Sequence, residues 1–170
     1  MRSWELLRYG NATKTNERRS LAYDAHDIAR RRAAKSDLQY PPVLFNGLQA
    51  RAVARGFSLA VMESKYIIYA CAIMPDHTHI VAGPHDYGSV KMVGHLKGRA
   101  TQQLRAEGLH PFENHAKQDG TLPPIWARRG WSVFLNSRDE VRRAIGYTNE
   151  NPVREGLKQQ SWSIVQPYVI

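Results

Sequence analysis

Two strand-like runs separated by only two residues constrain this chain more than any other feature. Tyr66-Ile67-Ile68-Tyr69-Ala70-Cys71-Ala72-Ile73-Met74 is β-branched and aromatic, Pro75-Asp76 interrupts it, and His77-Thr78-His79-Ile80-Val81-Ala82 resumes the pattern. A parallel pair needs a crossover of a dozen or more residues, so so short a connection predicts an antiparallel hairpin. An isolated hairpin is marginal in water, and the flanking segments must therefore cover it. From Gly47 to Glu63, the residues Leu48, Ala52, Val53, Phe57, Ala60 and Val61 recur at three-to-four spacing and predict a helix with Gly56 as a weak point. After Gly83-Pro84, the stretch from Ser89 to Glu107 carries Val90, Val93, Leu96, Ala100 and Leu104 on one stripe. Lys91, Lys97, Arg99 and Arg105 fill its other faces, so a basic amphipathic helix follows the hairpin.

Residues 108–124, rich in Gly, Pro, His and Asn, read as a loop, and Trp131-Ser132-Val133-Phe134-Leu135 as a short strand. Ser137 followed by Glu140 is a capping-box pattern. It opens a helix through Val141, Ala144, Ile145 and Tyr147 that Pro152 must end or kink. Helices and strands intermix around a hairpin, which predicts an α+β domain with an antiparallel or mixed sheet and helices on one face.

The 170 residues suffice for one domain. We read residues 1–40, polar and basic with Arg18-Arg19 and Arg30-Arg31-Arg32, as an N-terminal arm, and 41–170 as the folded domain. The arm is either a solvated surface segment or a DNA-contacting one. Lys and Arg number 24 against 15 Asp and Glu, a net charge of +9, while 42% of residues are hydrophobic. The chain is too apolar for a disordered tail and basic enough to favour polyanions, nucleic acid first. Its longest apolar run, Tyr66 to Met74, is far short of the roughly 20 residues of a membrane span, and Met1-Arg2-Ser3-Trp4-Glu5 begins no signal peptide. The single cysteine, Cys71, excludes an internal disulfide and a zinc knuckle. A cytoplasmic, nucleoid-associated protein without membrane partners is the expectation.

Chemistry is concentrated in two places. His77 and His79 are two apart on a strand, so both side chains leave the same face and can converge on one divalent ion; the bland alternative is a pair of half-exposed histidines at a sheet edge. Tyr147 and Asn151 are four apart on a helix and address one region. A phenol is a competent nucleophile toward a polarised phosphate, and an amide oxygen suits Mg(2+) or Mn(2+). The bland alternatives are an aromatic packed on the sheet for Tyr147 and a C-terminal cap for Asn151.

Taken jointly, Met74-Pro75-Asp76-His77-Thr78-His79-Ile80-Val81, a basic helix, Trp126 and Trp131, and then Tyr147 with Asn151-Pro152-Val153-Arg154-Glu155-Gly156-Leu157 resemble the repeat-associated tyrosine transposases. These are relatives of the single-strand insertion-sequence transposases in the HUH nuclease superfamily, and the resemblance runs from about Tyr40 to Tyr168. It implies a ferredoxin-like α+β fold, an antiparallel sheet flanked by helices. It further implies a divalent metal, Mg(2+) or Mn(2+), on His77, His79 and Asn151, and Tyr147 as the nucleophile that becomes attached to a DNA 5′-phosphate. The partner it implies is single-stranded or hairpin DNA, with a homodimer left open. Two departures stand out: Thr78 occupies a position usually hydrophobic in the family, and residues 1–40 show no counterpart of the family's first strand.

Lys91, Lys97, Arg99 and Arg105 on one helix, with Arg128, Arg129, Arg142 and Arg143 near the tyrosine, are the candidate phosphate contacts. Other readings compete. A histidine-triad hydrolase needs a further histidine where Val81 stands, and a replication initiator or relaxase usually has a longer chain. A catalytically silent DNA-binding protein derived from a transposase fits the missing strand but not the intact motifs.

Overall fold

The structure, a computed structural model, describes residues 40–128 and 132–169. The basic arm, Arg129 and Trp131 lie outside the described residues. Helix α1 (Gly47–Ser64) begins at Asn46, whose side chain accepts from the Gln49 amide at 2.9 Å while the Gln49 side chain accepts from the Asn46 amide at 3.0 Å. Two orphan donors of the first turn are satisfied reciprocally. Lys65, in the left-handed region with φ 57°, stops the helix and turns the chain into strand β1 (Ile68–Ile73). Strand β2 (Thr78–Ala82) returns antiparallel, with Ile73 opposite Thr78, Ala72 opposite His79, Cys71 opposite Ile80 and Ala70 opposite Val81. Helix α2 (Ser89–Ala106), a 3-10 turn (Glu113–His115) and helix α3 (Arg138–Arg154) complete the order.

Alternation along the hairpin sends its two faces to different helices. Cys71 and Ile73, with Ile80 at the margin, enter the main core with Ala52, Val53, Phe57 and Ala60 of α1 and Met92, Leu96, Ala100 and Leu104 of α2. The opposite face carries Ala70, Ala72, His79 and Val81, and α3 packs there with Thr148, Asn151 and Pro152 buried. Helices therefore cover both faces, where the sequence pattern predicts one. The small side chains of Ala70 and Ala72 leave room for α3 beside the bulkier histidine strand.

Two further expectations change. Residues 132–135 form no strand, and Phe134 is exposed; a strand needs a ladder, and neither hairpin edge pairs with this segment. The outer edge of β1 is taken instead by the C-terminal segment. Gln160 grips both backbone groups of Ile73 at 2.8 Å, Val165 bridges Ile68 in parallel, and the Gln166 amide donates to the Ile68 carbonyl at 2.8 Å. Helix α3 also runs two residues past Pro152. It closes at Gly156, whose φ of 75° favours glycine, with the Leu157 amide donating to the Pro152 carbonyl at 2.8 Å.

Thr78 shares the hairpin face of its cross-strand partner Ile73, and its hydroxyl is buried with no hydrogen-bond partner among the described residues. An unpaired buried hydroxyl costs about 1–3 kcal/mol. Thr78→Val keeps the shape and should stabilise the protein by about 1 kcal/mol in urea unfolding; a loss of stability would show that the hydroxyl is bonded.

Candidate metal and nucleophile site

The turn between the strands places the histidines. The Met74 amide donates to the His77 carbonyl at 2.8 Å, which closes the turn over Pro75 and Asp76. The Pro75 carbonyl accepts from the Phe45 amide at 2.7 Å, which fastens the turn to the start of α1. His77 and His79 leave the same side, with ring centroids 4.7 Å apart and planes nearly perpendicular. Tyr147 on α3 meets His79 edge to face at 5.5 Å. The topology thus brings together two elements some 70 residues apart in the chain.

Each group is prepared differently. The Asp76 carboxylate accepts from Nδ1 of His77 at 2.7 Å, which leaves Nε2 as the lone-pair nitrogen of the neutral ring. Sequence reasoning passed over Asp76 as a turn residue; an acidic residue directly before a candidate ligand was the available signal. Burial, with a smaller contribution from His77, pushes His79 down from 6.5 to about 4. His79 is therefore neutral at pH 7, the state in which imidazole binds a metal. Tyr147 is half-buried, and the Arg154 guanidinium lies 5.9 Å from its ring centroid, itself paired with Glu150 at 2.6 Å. Asn151 is buried inside the helix and is no cap; its side-chain Nδ2 has no hydrogen-bond partner.

That orphaned amide tests the site for a metal. A buried amide with one end unsatisfied is costly unless something completes it, and turning the amide over would put an unpartnered oxygen at that position. Among the described residues no three His, Cys, Asp or Glu side chains gather, so a third protein donor here would be of another kind, such as the amide oxygen of Asn151. Two imidazole nitrogens and one amide oxygen are donor types that Mg(2+) and Mn(2+) accept.

No family model, curated protein or solved structure matches the chain.

The candidate phosphate contacts fall into two groups. Lys97 is half-buried, donates to the Ala127 carbonyl at 2.9 Å and is pushed below the usual lysine value by burial. Arg99 pairs with Glu63, Arg142 pairs with Asp139 at 3.0 Å, and the Lys91 ammonium sits 3.5 Å from the Tyr87 ring centroid. Arg105, Arg128 and Arg143 are exposed and form no ion pair among the described residues. Trp126 spends its N–H on Thr101 at 3.0 Å and packs on Phe45.

The depressed His79 value predicts a pH dependence for the metal-free protein. Between pH 6.5 and about 4 the unfolded chain takes up a proton at this ring that the folded chain does not. Stability should therefore fall as pH falls through that window and level off below it. Urea unfolding across the window reads the slope, and His79→Gln should remove this contribution; an unchanged slope in the variant would place the proton uptake elsewhere.

Proposed function

We propose that the chain is an HUH-type endonuclease and strand transferase acting on single-stranded or hairpin DNA, similar to the repeat-associated tyrosine transposases. The observation that carries the reading is the meeting of the His77–His79 pair with Tyr147 at one point between β2 and α3. The hairpin is taken as part of the ferredoxin-like sheet of that superfamily. A divalent ion held by His77, His79 and Asn151 would polarise the scissile phosphate and stabilise its charge. Asp76 fixes the tautomer of His77, and burial keeps His79 unprotonated.

Tyr147 supplies the attacking oxygen. A bond forms between its Oη and phosphorus, the bond from phosphorus to the 3′-oxygen breaks, and a 3′-OH leaves. The phosphotyrosine keeps the phosphodiester's energy, so a 3′-OH can reverse the step and join strands without ATP. Net charge +9 supports a polyanionic partner. No described helix is long and apolar enough to cross a membrane. The test is incubation with labelled hairpin DNA and Mn(2+). A covalent adduct that survives denaturation supports the reading, whereas DNA binding without an adduct favours a silent DNA-binding derivative.

A further inference from the structure

A shallow groove of about 190 Å³ lies between α1 and the C-terminal segment. Arg51, Ala54, Arg55 and Ser58 line one wall, at spacings that place them on one helical face. Trp162, Ser163 and Ile164 line the other. We propose that this groove binds one unpaired nucleotide, with its base on the Trp162 ring and its phosphate on Arg51.

Charge and hydrogen bonding both support this occupant. Arg55 is held by Glu107 in a two-pronged pair, Nε to Oε1 at 2.7 Å, so its charge is balanced and its plane fixed. Arg51, four residues earlier, is exposed and has no ion pair among the described residues, which give the groove a guanidinium they do not balance. The hydroxyls of Ser58 and Ser163 have no partner among the described residues and are free to reach phosphate oxygens. The Trp162 N–H is already spent on Gln160 at 3.1 Å, so the indole offers the groove only its apolar surface.

The Trp162 wall is braced, because Gln160 is bonded to both backbone groups of Ile73. A simple anion has no use for an indole and an apolar ligand none for an unpaired guanidinium, while a nucleotide uses both. Ile73 is the cross-strand partner of Thr78, the residue between the two histidines. The α1 wall of the groove lies on the hairpin face opposite His79, and its C-terminal wall is fastened along the outer edge of β1, so a DNA strand serving both sites would pass round that edge. The proposal rests on the DNA-binding half of the function proposed above and not on its chemistry.

The full chain is titrated with fluorescein-labelled dT10, and with an abasic strand of equal length, across a salt series read by anisotropy. Arg51→Gln should weaken dT10 binding and flatten the log–log salt slope by about 0.7, the value for one lost phosphate contact on a single strand. Trp162→Leu should weaken dT10 roughly tenfold and leave the abasic strand unaffected. If Trp162→Leu melts early, Arg51→Gln, at an exposed position, still decides through the slope. Wild-type affinity and slope in Arg51→Gln, or equal wild-type affinity for dT10 and the abasic strand, overturns the groove. Adduct formation at Tyr147 on hairpin DNA is scored separately in the same variants. An adduct without groove dependence sinks the groove alone, and groove dependence without any adduct sinks the nuclease chemistry alone.

Discussion

Tyr147→Phe is expected to abolish the covalent protein–DNA adduct completely while leaving unfolding free energy within about 0.5 kcal/mol of wild type. The two halves of this expectation have separate causes. The ring is what packs: it meets His79 edge to face at 5.5 Å and carries Arg154 on its surface, and phenylalanine keeps both contacts. The hydroxyl makes no hydrogen bond to another described residue, so its loss leaves no buried group unpaired. Only the attacking oxygen disappears. The measurement is a denaturing gel of labelled hairpin DNA with Mn(2+), paired with a urea melt. A persisting adduct would move the nucleophile to another tyrosine. Tyr66 is fully buried with its hydroxyl on His95 at 3.1 Å and is a poor substitute, while Tyr69 and Tyr168 meet edge to face, ring centroids 4.9 Å apart, at the other end of β1.

Gly56→Val should destabilise the fold by about 3 kcal/mol or more, at the upper end of what overpacking costs. By helix propensity alone Gly56 is a weak point, and replacing it should strengthen α1 by about 1 kcal/mol or less. The crossing with α2 reverses the sign. A Cβ at Gly56 would lie 2.5 Å from the Ala100 Cα, 2.7 Å from its amide nitrogen and 2.7 Å from the Arg99 carbonyl oxygen. These are backbone atoms of a packed helix, so the two helices would have to separate. Ala52, Ala60, Ala100 and Leu104 would lose burial with them. Urea or thermal unfolding reads the effect directly. Gly94 and Gly98 on α2 face open space, and alanine at either should be neutral or stabilising by the same measurement. A Gly56→Val variant as stable as wild type would mean that α1 and α2 do not cross here.

Local sequence determined what depends on neighbours along the chain. The hairpin followed from two β-branched runs and a two-residue break. The three helices followed from apolar spacing, with Ser137 confirmed as a cap that accepts from the Glu140 amide at 3.2 Å. The capping box itself is only half formed, because the Glu140 carboxylate takes the Asn136 amide at 2.6 Å instead of the Ser137 amide. That His77 and His79 share a face was equally legible, since alternation is a property of a single strand.

Tertiary structure alone decided whatever needed a partner distant in sequence. Whether 132–135 became a strand depended on a free ladder, and none was paired to it. That α3 covers the face opposite α1 and α2 depended on Ala70 and Ala72 being small where the helix lies. The left-handed Gly156, and not Pro152, ends α3, because a proline in a last turn forfeits one bond while the turn beyond it still closes. Gly56 changed from a flaw in a helix to the contact point of two, and Asp76 from a turn residue to the group that orients His77. Burial did the same for His79, whose neutrality follows from how deeply α3 and the hairpin enclose it and from nothing in the order of its neighbours.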